Sequence, residues 1–169
     1  NLSSNYIACG IPPQTWISSI EASGFDQNTV YVTLDNHTYG DHQTYLIKSI
    51  DMGKTFTRIQ SKEFTGFAHK IKEDLVNKNV LFLGTEMGLF ASLDGGVEWY
   101  RIKNNIPEYA LTRDIQIHPR EHSLVVGTHG RGIYVIDDIS VIRNMSKSIA
   151  EKNVVLFDTK EMELTTGKY

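Results

Sequence analysis

The sequence has little cysteine, no long apolar run and no excess of basic charge, and each shortage removes a class of protein. Cys9 is the single cysteine, so the chain forms no internal disulfide framework and no cysteine-based zinc site. No stretch approaches the roughly 18 apolar residues that a membrane-spanning helix needs. The formal net charge is −3, without the basic field that attracts nucleic acid or an anionic membrane surface. The chain starts Asn1-Leu2-Ser3 without a methionine or a signal peptide, the start expected of an excised or processed piece. What remains is ordinary for a globular domain with a sizeable core: 169 residues, 40% hydrophobic and 22% charged.

An internal repeat sets the architecture. Ser49-Ile50-Asp51-Met52-Gly53-Lys54-Thr55-Phe56 returns as Ser92-Leu93-Asp94-Gly95-Gly96-Val97-Glu98-Trp99, a shared Ser-x-Asp-x-Gly-x-x-aromatic pattern spaced by 43 residues. Leu83-Gly84-Thr85 returns as Val126-Gly127-Thr128 at the same spacing. A period of about 40–45 residues belongs to β-propeller blades. A third, decayed copy matches Gly88–Asp94 to Gly132–Asp138, with Ile136 in place of the serine and Ser140 in place of the turn glycine. Val30-Tyr31-Val32 matches Leu81-Phe82-Leu83 at 51 residues, so the first blade carries about eight extra residues between its second and third strands, within Leu34–Gln43.

The expected fold is therefore all-β, a partial propeller of about three four-stranded antiparallel blades with a short C-terminal extension. Residues 1–15 read as the end of a preceding blade. Blade one covers 16–61, blade two 62–110 and blade three 111–145, where the fourth strand is undefined. Residues 146–169 form the extension: a short helix is expected over Ile139–Ile149 and one more strand over Asn153–Asp158. Strand segments rich in β-branched and aromatic residues alternate with Gly, Asn, Asp and Pro. Three blades do not close a ring of the usual four to eight, so the remaining blades of a larger propeller are expected partners. Uncovered terminal blades are expected to make the piece self-associate.

The repeated motif has a mechanical explanation. Its aspartate accepts backbone N–H groups across its own turn. Gly53 and Gly96 supply positive φ at low cost, and Phe56 and Trp99 tuck against a neighbouring blade. Ser49, Asp51, Gly53, Phe56, Ser92, Asp94, Gly96 and Trp99 are thus structural residues. The motif resembles the Asp-box, or bacterial neuraminidase, repeat of sialidases, xyloglucanase-type glycoside hydrolases and sortilin-like receptors. Trp16–Arg143 is similar to the sortilin-like, glycosyl hydrolase-related branch of large secreted bacterial proteins. Asn28–Val32, Lys48–Phe56 and Gly127–Ser140 carry that resemblance, with Val155-Leu156-Phe157-Asp158 behind them. The resemblance implies a secreted, periplasmic or cell-surface scaffold that binds carbohydrate or protein. It implies alternatively a part of a sialidase- or xyloglucanase-like hydrolase whose active site other blades complete.

No catalytic set emerges from the residues. Sialidases use an arginine triad, yet only Arg113 and Arg131 lie in suggestive positions. A paired-acid hydrolase needs two carboxyls at a fixed separation, and nothing sets one between Asp35, Asp41 and Asp114. His37, Asp41 and His42 match no metal-ligand spacing, so no metal is assigned. Gly127-x-x-Gly130-x-Gly132 joins two strands rather than opening a helix, which makes it a tight turn and assigns no cofactor. Asn1, Asn36 and Asn144 begin glycosylation sequons. In a four-stranded meander the loops between second and third strands share one rim. That places Asp35, His37, Tyr39, Asp41, His42, Glu86, His129 and Arg131 together as the candidate ligand-binding set.

Overall fold

A computed structural model of the chain describes residues 2–103 and 106–145. They form three antiparallel sheets. In blade one, β1 (Trp16–Ala22), β2 (Val30–Asn36), β3 (Asp41–Ser49) and β4 (Thr57–Ile59) pair in chain order. Blade two repeats this with β5 (Ala68–Glu73), β6 (Leu81–Thr85), β7 (Gly88–Ser92) and β8 (Tyr100–Ile102). Blade three has β9 (Thr112–Ile117), β10 (Leu124–Thr128) and β11 (Ile133–Ile136). The chain is a partial β-propeller, with the third sheet three-stranded among the described residues. Past β11 it turns into a short helix, α2 (Ser140–Asn144). A further helix, α1 (Leu2–Ala8), precedes blade one. The strand expected over Asn153–Asp158, the rest of the helix expected to Ile149, and the sequon at Asn1 lie outside the described residues.

The core lies between blades. Every residue of β6 and β7 is buried, because successive side chains point to opposite faces and both faces are covered. Leu81, Leu83 and Phe90 pack toward Tyr31 and Leu46 of blade one, with Trp99 in the same cluster. Phe82, Leu89 and Ala91 pack toward Ile115, Leu124 and Val126 of blade three. On the outer side of blade one, Tyr6 and Ile11 cover Val32, Leu34, Tyr45 and Ile47, with Phe56 against the same cluster. Polar ties cross the same seams. Buried Glu73 accepts Ser23 Oγ at 2.9 and 3.0 Å and the Gly24 amide at 2.8 Å. The fully buried Asp74 carboxylate takes two bonds from Arg143 of α2, at 2.6 and 2.8 Å. Burial pushes its pKa up, but Arg143 and the amides of Asn77 and Val76 hold it below the usual carboxylate range.

The two repeated turns have the same wiring. Ser49 Oγ donates to Asp51 Oδ1 at 2.7 Å and accepts the Gly53 amide at 2.9 Å. Asp51 Oδ1 accepts the amides of Lys54 and Thr55 at 3.0 and 2.9 Å. Ser92 and Asp94 repeat these bonds with Gly96, Val97 and Glu98. Gly53 and Gly96 sit at φ 79° and 101°, as the motif requires. Each turn also docks on the first hairpin of its own blade: the Met52 amide donates to Asn28 O and the Gly95 amide to Asn79 O. In the decayed third copy Ile136 replaces the serine, and Asp138 accepts the Ser140 amide at 2.9 Å. Ile139 N still donates to His122 O, so the docking bond outlasts the motif.

One expectation needs correction. The extra residues of blade one, expected in the loop between its second and third strands, are mostly strand. They lengthen β2 and β3, and only a 3₁₀ turn (His37–Tyr39) and Gly40 project beyond the ladder. Asn36 and Asp41 pair across the strands, and Asp41 accepts bonds from Tyr45 Oη at 2.7 Å and Asn36 Nδ2 at 3.1 Å. These bonds satisfy polar groups that a hairpin extension otherwise leaves unpaired. They also bury Asn36 and occupy its side-chain nitrogen.

Candidate functional site: an imidazole–aromatic rim

The turns joining second to third strands share a rim with the entries to their own blades, as the Glu86 N to Phe67 O and His129 N to Leu111 O bonds record, both at 2.9 Å. On this rim, Phe67 stands immediately before β5 and anchors a ring cluster. His37 stacks on it, with ring centroids 4.5 Å apart and planes 18° apart. His42 tilts against it at 5.6 Å. His69 meets it edge to face at 4.9 Å. Phe67 and His69 reach the same face because residues two apart on a strand point the same way.

Carboxylates orient two of these imidazoles. Asp35 is buried, and both its oxygens lie within 2.7–2.8 Å of His37 Nδ1, while Oδ1 also accepts the His37 amide at 2.9 Å. His42 Nδ1 faces Glu86 Oε2 at 3.1 Å. A carboxylate only accepts hydrogen bonds, so Nδ1 carries a proton in each ring, and in the neutral ring Nε2 is an acceptor. His69 differs. It is buried, and its Nε2 has no partner. Burial first, and the neighbouring Arg113 second, push its pKa down to about 4, so the ring is neutral near pH 7. Arg113 approaches its Nδ1 at 3.5 Å.

The rim opens sideways into a cleft of about 440 Å³ bounded by His42, Gln43 and Thr44 of β3, Arg58 of β4, and Gln60, Ser61, Phe64 and Gly66 of the following loop. Thr44 Oγ1 donates to Gly66 O and holds that loop against β3.

Half of the candidate set is brought together: Asp35, His37, His42 and Glu86. The others are not. Tyr39 is exposed and its hydroxyl turns to Gln14 Oε1 at 3.4 Å. Asp41 is spent inside its hairpin, where bonds from Tyr45, the Gln43 amide and Asn36 outweigh burial and lower its pKa. The Tyr45 phenol is correspondingly pushed up to about 12 by burial and by Asp41. His129 and Arg131 stay exposed on the blade-three turn. There Thr128 and Gly132 close the glycine-rich segment as the tight turn expected of it. Asp114 pairs with Lys70 at 3.6 Å. Phe67, His69 and Arg58 were missed. The only sequence signal for the first two is their i, i+2 spacing at a strand entry. Among the described residues no group of three or more ligating side chains has metal-site geometry, and no helix is long and apolar enough to cross a membrane.

Fold and rim together define a β-propeller segment with an imidazole–aromatic surface at one end of its blades. No family model and no curated protein sequence matches the chain. Solved structures do. An ancestral GH74 enzyme superposes with a TM-score of 0.57 at 17% identity, over 69% of this chain and 14% of that one. The GH74 xyloglucanase of Xanthomonas campestris gives 0.57 at 16% identity, over 72% of this chain and 22% of its own. YCF48 bound to D1 peptide gives 0.52 at 14% identity, over 74% and 38%. The chain thus spans well under half the length of these propellers, and at such identity the likeness is one of fold.

Proposed function

We propose that this segment is a protein-binding scaffold that presents the His37–Phe67–His42 rim to a peptide of a partner protein. The carrying observation is the pair of carboxylate-oriented imidazoles flanking Phe67. Phe67 is itself buried beneath them, so the exposed His37 and His42 rings are the contact surface, and each neutral ring offers an Nε2 acceptor to a backbone or side-chain donor. The similar fold of YCF48, solved with a peptide bound, gives this reading a precedent. In our reading the repeat is of the Asp-box kind, in a sortilin-like protein outside the cytoplasm. The hydrolase alternative draws less support. The rim acids Asp35, Asp41, Glu86 and Asp114 are engaged with His37, Tyr45, His42 and Lys70, whereas a glycosidase needs two carboxyls free to act on one bond.

Panning a random twelve-residue peptide library on the full chain tests the reading. Enriched peptides are expected to bind at least tenfold more weakly to Phe67→Ala and His37→Ala, and unchanged to Lys54→Ala on the opposite rim. No enrichment, or a loss confined to Lys54→Ala, refutes it.

A further inference from the structure

Arg58 is a sparsely bonded charge near the rim whose field reaches Asp41, itself bonded to Tyr45. Strand β4 sets it opposite Ile47, and its guanidinium lies over the Tyr45 ring, 4.6 Å from the centroid. Its Nε is buried without a hydrogen-bond partner. Its one side-chain bond is long, from NH2 to Gln43 Oε1 at 3.4 Å. Among the described residues no carboxylate forms an ion pair with it. Yet a guanidinium offers five donors in a planar fork suited to two-point binding of a carboxylate.

The cleft beside it has the matching character. Its lining contains Arg58 and His42, two glutamines, two hydroxyls, the Phe64 ring and no Asp or Glu. Its volume, about 440 Å³, falls in the range of small-ligand sites. Gln43 is a weak, neutral placeholder on the guanidinium, and an anionic acceptor forms a stronger bond.

We propose that this cleft is a carboxylate subsite, in which Arg58 binds the side chain of a glutamate or aspartate in a peptide lying across the rim. This rests on reading the rim as a peptide-binding surface. Gln43 and Gln60 then flank the carboxylate, and Phe64 carries the methylene stem. The packing role of Arg58 over Tyr45 is compatible with this, since stacking leaves the fork edge free.

The test is an NMR titration of the full chain that follows the Arg58 Nε–H signal and the side-chain amides of Gln43 and Gln60. Acetyl-Gly-Glu-Gly-amide is expected to shift all three saturably, and acetyl-Gly-Gln-Gly-amide to leave them in place. Affinity for the glutamate peptide is expected to fall at least fivefold in Arg58→Gln. It is expected to fall similarly in Gln60→Glu, which adds a competing acid and keeps the test decisive if Arg58→Gln does not fold. Equal response to both peptides, unchanged affinity in the foldable variants, or saturation by methyl glucuronide alone overturns the proposal. The two claims separate cleanly. Library peptides that need His37 but ignore Arg58 and carry no acid overturn the subsite and spare the rim. Glutamate binding at Arg58 with no library enrichment does the reverse.

Discussion

Asp51 shows how one side chain can hold a turn without doing chemistry. Its carboxylate collects the Thr55 hydroxyl at 2.7 Å, the amides of Thr55 and Lys54, and the Ser49 hydroxyl. All four bonds favour the ionised form, and the Thr55 hydroxyl contributes most to bringing the pKa to about 2. A depressed carboxyl stabilises the fold at pH above its unfolded value near 3.9. That stabilisation drains away as pH falls from there toward 2. Urea midpoints measured between pH 2 and 5 are therefore expected to drop more steeply for the wild type than for Asp51→Asn, and parallel curves count against the assignment. Gly53 carries the other half of the turn. At φ 79° a β-branched residue is strained, so Gly53→Val is expected to cost about 1–3 kcal/mol. Ser140→Val, at the decayed copy, is expected to cost far less. Chemical denaturation of the two variants compares them directly, and equal effects contradict the turn's role.

At the scale of elements, glycine marks where blades approach. A Cβ on Gly84 of β6 comes within 2.6 Å of Thr112 Cγ2 and 3.0 Å of Thr112 O on β9. Its repeat equivalent Gly127 meets nothing closer than 3.8 Å. Gly84→Ala is expected to destabilise by about 1–3 kcal/mol through overpacking, and Gly127→Ala to stay within about 0.5 kcal/mol. Thermal melts of both variants check this asymmetry. The fold was legible because one signal, the Ser-x-Asp-x-Gly turn with its aromatic partner, fixes period and register at once. Nine of the eleven strands follow it closely, and the two exceptions are instructive. β2 and β3 run past their expected ends, with Asn36 and Tyr45 both donating to Asp41 across the extended hairpin, a pairing that spacing alone does not reveal. The site was half legible for a related reason. Repeat arithmetic places loops on a rim, but it does not say which way a side chain turns. Tyr39 turned outward and Asp41 inward, while Phe67 and His69 were hidden in an ordinary strand pattern.

The whole molecule is a stack in which each blade covers the next. Blade two is covered on both faces and is the best buried. Blade three turns Tyr134 and Ile136 toward blade two and leaves Ile133 and Val135 exposed on β11, at 72% and 54%. An apolar sheet face and an edge strand of this kind favour association. We expect the chain to self-associate in sedimentation experiments, and Ile133→Lys with Val135→Lys to shift it toward monomer. A monomer at every concentration contradicts this expectation.

Hydrogen–deuterium exchange of the full chain with a library-selected peptide shows whether the rim is the binding surface. Slowed exchange is expected over residues 35–43, 64–70 and 85–88, which carry His37, His42, Phe67, His69 and Glu86. Residues 50–56 and 93–99, the two Ser-x-Asp-x-Gly turns at the opposite end of the blades, are expected to exchange at the same rate with and without peptide. Protection confined to those turns, with the rim unchanged, contradicts the account.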